Sequence, residues 1–60
     1  MNEKDILIES INAIKDHLKD QEDSGIRIGL YMALETIKGS VLDDGLLVKL
    51  GLDEDLEKYI

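Results

Sequence analysis

The chain has 60 residues, with no Cys, Pro, Trp or Phe and two tyrosines as its aromatic side chains, so residues 1–60 have room for one small domain and are read as a single unit. A chain of this size buries only about 60% of the surface it exposes when unfolded, and its core supplies about 3–5 kcal/mol unless something staples it; with no cysteine and one histidine, disulfides and thiolate metal sites are excluded as staples. Fourteen acidic against seven basic residues give a net charge of −7, which argues against a surface made to hold nucleic acid or anionic lipid, since both recruit Lys and Arg.

A hydrophobic fraction of 43% beside 35% charged residues is ordinary for a folding chain. No apolar run approaches the ~18 residues of a membrane span, and the charged Asn2 to Asp5 opening does not read as a signal peptide. The expected setting is the cytoplasm, in keeping with the lack of cysteine. The charge is not evenly spread: residues 1–24 carry seven acids and three bases, residues 25–42 carry Glu35 against Arg27 and Lys38, and residues 43–60 carry six acids and two bases. A weakly cationic, apolar middle therefore lies between two acidic flanks of −4 each.

In chain order, Leu7, Ile11, Ile14 and Leu18 recur at steps of four, three and four, one stripe of an α-helix. Asn2 is a good N-cap, and Glu3 and Asp5 lie where the positive end of the helix dipole favours carboxylates. A first helix is predicted over about residues 3–20. Gln21 to Gly25 breaks the pattern as a turn, with Asp23 or Ser24 able to cap a second helix. Ile26, Ile28 and Leu30 alternate briefly as a strand would, but Ile26, Leu30, Ala33, Leu34, Ile37 and Val41 follow helical spacing, so the second helix is placed over about residues 25–42. Similar lengths and a short loop predict an antiparallel hairpin. Gly25, Gly29 and Ala33 lie four apart on one side of that helix; a helical Gly costs up to ~1 kcal/mol relative to Ala, so Gly29 suggests the close approach of another backbone.

Asp43 to Gly45 reads as a turn, Leu46, Leu47, Val48 and Leu50 as a short helix over about 44–50, and Gly51 as its left-handed end, with Leu52 making the accompanying apolar contact. Asp53 is expected to cap a last helix over about 53–59, whose Glu54 and Lys58 have favourable spacing. The C-terminal third is expected to lie across the open face of the hairpin or of a partner.

The candidate chemistry is thin. Asp20, Glu22, Ser24 and Gly25 resemble the opening of an EF-hand calcium loop, but Tyr31 stands where the closing Glu belongs and Ile28 at another ligand position. His17 is a lone imidazole beside Asp16 and Asp20, too few ligands for a transition metal. The serines lack a base and an orienting group for nucleophilic catalysis, and Gly25-x-x-x-Gly29 lacks the Gly-Lys-Ser/Thr of a phosphate loop. Asp23-Ser24 looks similar to the prosthetic-group motif of acyl carrier proteins, small acidic helical carriers, yet Gly25 replaces the motif's Leu, the preceding loop is too short and a helix is lacking. A helix-turn-helix reading of residues 43–60 fails because the last segment offers Asp53, Glu54, Asp55 and Glu57 with only Lys58. No catalytic residue, cofactor or metal site is assigned.

The sequence therefore predicts an all-α, non-enzymatic interaction module, a helical hairpin closed by short C-terminal helices and paired with a second copy as a dimeric bundle. The residues assigned to helix packing or to the dimer interface are Leu7, Ile11, Ile14, Leu18, Gly29, Leu30, Ala33, Leu34, Ile37 and Val41. Asp43, Asp44, Asp53, Glu54, Asp55 and Glu57 are candidates for an acidic surface. The alternative is an acidic inhibitor that captures a basic, nucleic-acid-binding protein; in size and charge the chain is similar to small phage and bacterial regulators.

Overall fold

Caps and apolar spacing place the helices. The computed structural model describes residues 2–60. It holds α1 (Glu3–Asp20), α2 (Ser24–Ser40) and α3 (Asp44–Leu50), followed by a 3-10 helix at Leu56–Tyr59, and no strand occurs among the described residues. Each element begins on an Asx side chain that takes an otherwise orphaned backbone N–H. Asn2 accepts from Asp5 at 2.9 Å, Asp23 from Ile26 at 3.1 Å, Asp43 from Leu46 at 3.1 Å and Asp55 from Glu57 at 3.0 Å. The three-residue connection Gln21–Asp23 folds α1 and α2 into a packed pair, and the short strand suggested by Ile26, Ile28 and Leu30 is helix throughout.

Two boundaries differ from the sequence reading. The second helix stops at Ser40, two residues before the expected end at 42, because Val41 and Leu42 straighten into the turn that Asp43 needs to cap α3. The predicted helix over 53–59 shrinks to the 3-10 turn at Leu56–Tyr59, and its cap is Asp55 rather than Asp53. Its lost first turn has a tertiary cause: the carbonyl of Glu54 accepts from Lys38 Nζ at 2.7 Å, and its carboxylate is drawn to Lys15 on α1.

The end of α3 is a left-handed glycine, Gly51 at φ +74°. The N–H of Leu52 reaches back to the carbonyl of Leu47 at 3.0 Å, the 6→1 bond of a Schellman end. That reversal drives Leu52 into the core, where no surface of it remains exposed. The core itself is five leucines: Leu18 from α1, Leu34 from α2, Leu50 from α3, Leu52 from the connection and Leu56 from the 3-10 helix. Around them Ile8, Ile11, Ile14, Leu30, Tyr31, Ile37, Val41, Leu46, Leu47 and Tyr59 are partly buried. Leu50, Leu52 and Leu56 are three of the five fully or nearly buried side chains, so the hairpin has its open face covered by its own C-terminal third. No described helix is long and apolar enough to cross a membrane.

Candidate interaction surfaces and the C-terminal clasp

The residues assigned from sequence to packing or a dimer interface fall into two groups. Leu18 and Leu34 are fully buried, while Ile11, Ile14, Leu30, Ile37 and Val41 are partly buried against them within one chain. Leu7, Gly29 and Ala33 are exposed. A Cβ added to Gly29 would meet no atom within 4 Å, so no backbone of the same chain makes the close approach that this glycine suggested.

The outer side of α2 carries the clearest signal. Its exposed positions are Ser24, Gly25, Ile26, Ile28, Gly29, Met32, Ala33, Thr36, Gly39 and Ser40, and not one is charged; Arg27, Glu35 and Lys38 are all partly buried. Met32 is 61% exposed, and Ile26 and Ile28 about half. α1 is the opposite case: Asp5, Glu9, Asp16 and Asp20 are exposed at spacings that put them on one outward stripe. Charge is thus partitioned between the outer sides of the two long helices.

The acidic residues proposed near the C-terminus are not a uniform acidic face. Asp43, Asp44, Asp53, Asp55 and Glu57 are exposed, but Asp43 and Asp55 spend an oxygen each on helix caps. Glu54 is a structural residue. Its carboxylate pairs with Lys15, whose side chain is only 13% exposed, and accepts from Lys58 at 2.6 Å and from the Tyr59 hydroxyl at 2.7 Å. Hydrogen bonds from Lys15 first, then from Lys58 and Tyr59, hold its acidity at about 2 against an ordinary 4.5. Lys58 is raised in turn, chiefly by its hydrogen bond to Glu54.

Lys15 also donates to the carbonyl of Gly51, and Asn12 donates to that of Lys49 at 3.3 Å. Lys19 and Lys58 stand 5.7 and 5.2 Å from the centroid of the Tyr59 ring. Tyr31, packed against this end of the molecule and close to Glu35, Glu57 and Asp55, has its hydroxyl pushed up, first by desolvation and then by those carboxylates. Lys15 and Lys38, both partly buried, fasten the C-terminal segment from α1 and α2, while Lys19 and Lys58 contact it from exposed positions. The i,i+4 spacing of Glu54 and Lys58 was visible in the sequence; the partners on α1 and α2 were not, because nothing local marks them.

Among the described residues no three His, Cys, Asp or Glu side chains gather as a metal site. His17 is an exposed residue of α1, and Asp23, within the calcium-like stretch, is the cap of α2. A second apolar feature lies where the start of α1, the end of α2 and α3 leave a half-open groove of about 200 Å3 lined by Leu7, Ile8, Ile11, Ile37, Val41, Leu46 and Leu50 with the stem of Lys4. No polar atom lines it. No family model, curated protein or solved structure matches the chain, which leaves the uncharged side of α2, the acidic stripe of α1 and this groove as the features that bear on function.

Proposed function

We propose that the chain is a non-enzymatic helical interaction module that self-associates through the outer side of α2, two hairpins pairing as a four-helix bundle. The observation that carries the reading is the uncharged outer side of α2 in a chain of net charge −7. Two copies of so acidic a chain repel one another over most approaches, and α2 offers the one long face where they meet without opposing carboxylates. Ile28 and Met32 supply apolar area there, and Gly29 and Ala33 allow two helices to approach closely. Gly29 also costs α2 up to ~1 kcal/mol with no packing gain inside one chain, a cost that an intermolecular contact offsets.

Sedimentation velocity at two widely separated concentrations tests this. The wild type is expected to shift from monomer to dimer as concentration rises, and more readily at high salt, which screens the repulsion between like-charged copies. Gly29→Leu has open space around it in the monomer, so it should keep the fold and lose the dimer. A wild type that stays monomeric, or a Gly29→Leu variant that dimerises equally well, would refute the proposal.

The acidic stripe of Asp5, Glu9, Asp16 and Asp20 supports a second reading, capture of a basic protein as a nucleic-acid mimic. Lys15, Arg27 and Lys38 are partly buried, so the exposed charged residues are twelve acids against four bases. Here the salt dependence has the opposite sign: retention of a basic target should fall steeply as salt rises. Charge reversal of Asp16 and Asp20 to Lys should abolish that retention while leaving self-association through α2 in place.

A further inference from the structure

We propose that the groove between α1, α2 and α3 is a binding site for a medium-chain aliphatic carboxylate, with the hydrocarbon against the groove walls and the carboxylate at Lys4. The site is separate from the outer side of α2, so this inference stands or falls without the self-association reading. Three observations define the ligand. The walls are hydrocarbon only, which leaves nothing to orient a polar body. The volume of about 200 Å3 sets the length: an apolar cavity of about 150 Å3 takes the six carbons of benzene, so this one takes about eight. Lys4 sets the charge, since it is the charged residue at the groove, and its stem lies along the wall without any polar atom reaching inside.

Lys4 also differs from the lysines of the C-terminal clasp. Lys15 and Lys58 are paired with Glu54, Lys38 is bound to a carbonyl, and Lys19 stands over Tyr59. No carboxylate of the described residues lies within ion-pairing distance of Lys4. One turn on along α1, its neighbours on the same face are Leu7 and Ile8, both groove residues. A cation without a partner beside a dry hydrocarbon slot matches a ligand with one anionic end and an unbranched tail.

The test is titration of methyl-labelled protein with octanoate, followed by NMR, with acetate and octylammonium as controls. Octanoate should shift the methyl signals of Ile8, Ile11, Ile37 and Leu46 with a dissociation constant on the order of 1 mM or tighter, as expected for about ten non-hydrogen atoms. Acetate should leave them unmoved, because it lacks the tail, and octylammonium should bind roughly three- to fivefold more weakly or worse, because its charge opposes Lys4. Lys4→Glu should weaken octanoate by a similar factor. Leu7→Trp, at the exposed rim, should close the groove and abolish the shifts while thermal melting reports an intact fold.

The proposal is overturned if octanoate does not move the groove methyls, if octylammonium binds as tightly as octanoate, or if Lys4→Glu leaves the affinity unchanged. It is also overturned if the groove signals respond to dilution and octanoate does not compete with that response, which would mark a second copy as the occupant.

Discussion

Replacing Glu54 by Gln removes a charge at the centre of the C-terminal clasp with almost no change of shape. The Gln oxygen can still accept from Tyr59, and Lys15 keeps the Gly51 carbonyl, but Lys15 loses its counter-ion at a position where its side chain is 13% exposed. A charge-assisted hydrogen bond in such a place contributes about 1.5–3 kcal/mol, whereas the exposed Lys58 partner adds only a few tenths. A loss of about 2 kcal/mol is therefore expected, a large part of the ~3–5 kcal/mol available to a chain of this size. At 4–8 °C per kcal/mol for a small domain, the melting temperature at neutral pH should fall by about 8–16 °C.

The same substitution has a signature in acid. The carboxyl of Glu54 titrates at about 2 in the folded protein and near 4.5 ordinarily. A depressed folded value means that its stabilisation is complete above about pH 4.5 and is lost progressively as pH falls toward 2. Thermal melts of wild type and Glu54→Gln across that range should converge as the wild-type carboxyl is protonated, with the other carboxylates cancelling between the two proteins. Equal melting temperatures at pH 7, or a difference that persists unchanged at pH 2, would refute the account of the clasp.

Leu52→Ala removes a fully buried side chain that no element of regular structure holds, and at the usual 2–5 kcal/mol for such a truncation it should leave the chain largely unfolded by circular dichroism at room temperature. Gly51→Ala forces a Cβ to 2.9 Å from Asn12 Oδ1 at φ +74°, and should cost about 1–2 kcal/mol in urea unfolding from the left-handed backbone alone. Asp43→Ala deletes the cap of the seven-residue α3, with an expected loss of about 1 kcal/mol and faster amide exchange at Gly45 and Leu46. Gly29→Ala meets no atom within 4 Å, so it should stabilise the monomer through helix propensity by up to ~1 kcal/mol, read as a higher melting temperature.

The helical class, the ends of α1 and α3, and the split of charge along the chain were legible in the amino-acid sequence because each depends on groups within a turn of one another. An Asx residue caps the N–H groups two and three places on, and apolar side chains repeat with the helix. Gly51 is a case of the same kind, since a left-handed position favours glycine whatever packs around it. What the tertiary structure decided is which apolar residues found partners. Leu18 and Leu7 belong to one stripe, yet Leu18 is sealed beneath the C-terminal segment while Leu7 stands at the rim of an open groove.

The same holds for Glu54, which by composition is one more acid in an acidic tail and in the fold is the anchor of Lys15 and Lys58. Its pull, with that of Lys38 on its carbonyl, shortens the last helix to a 3-10 turn. Periodicity and capping act over a few residues. Burial and ion pairing join residues far apart along the chain, and their outcome depends on the shape that brings them together.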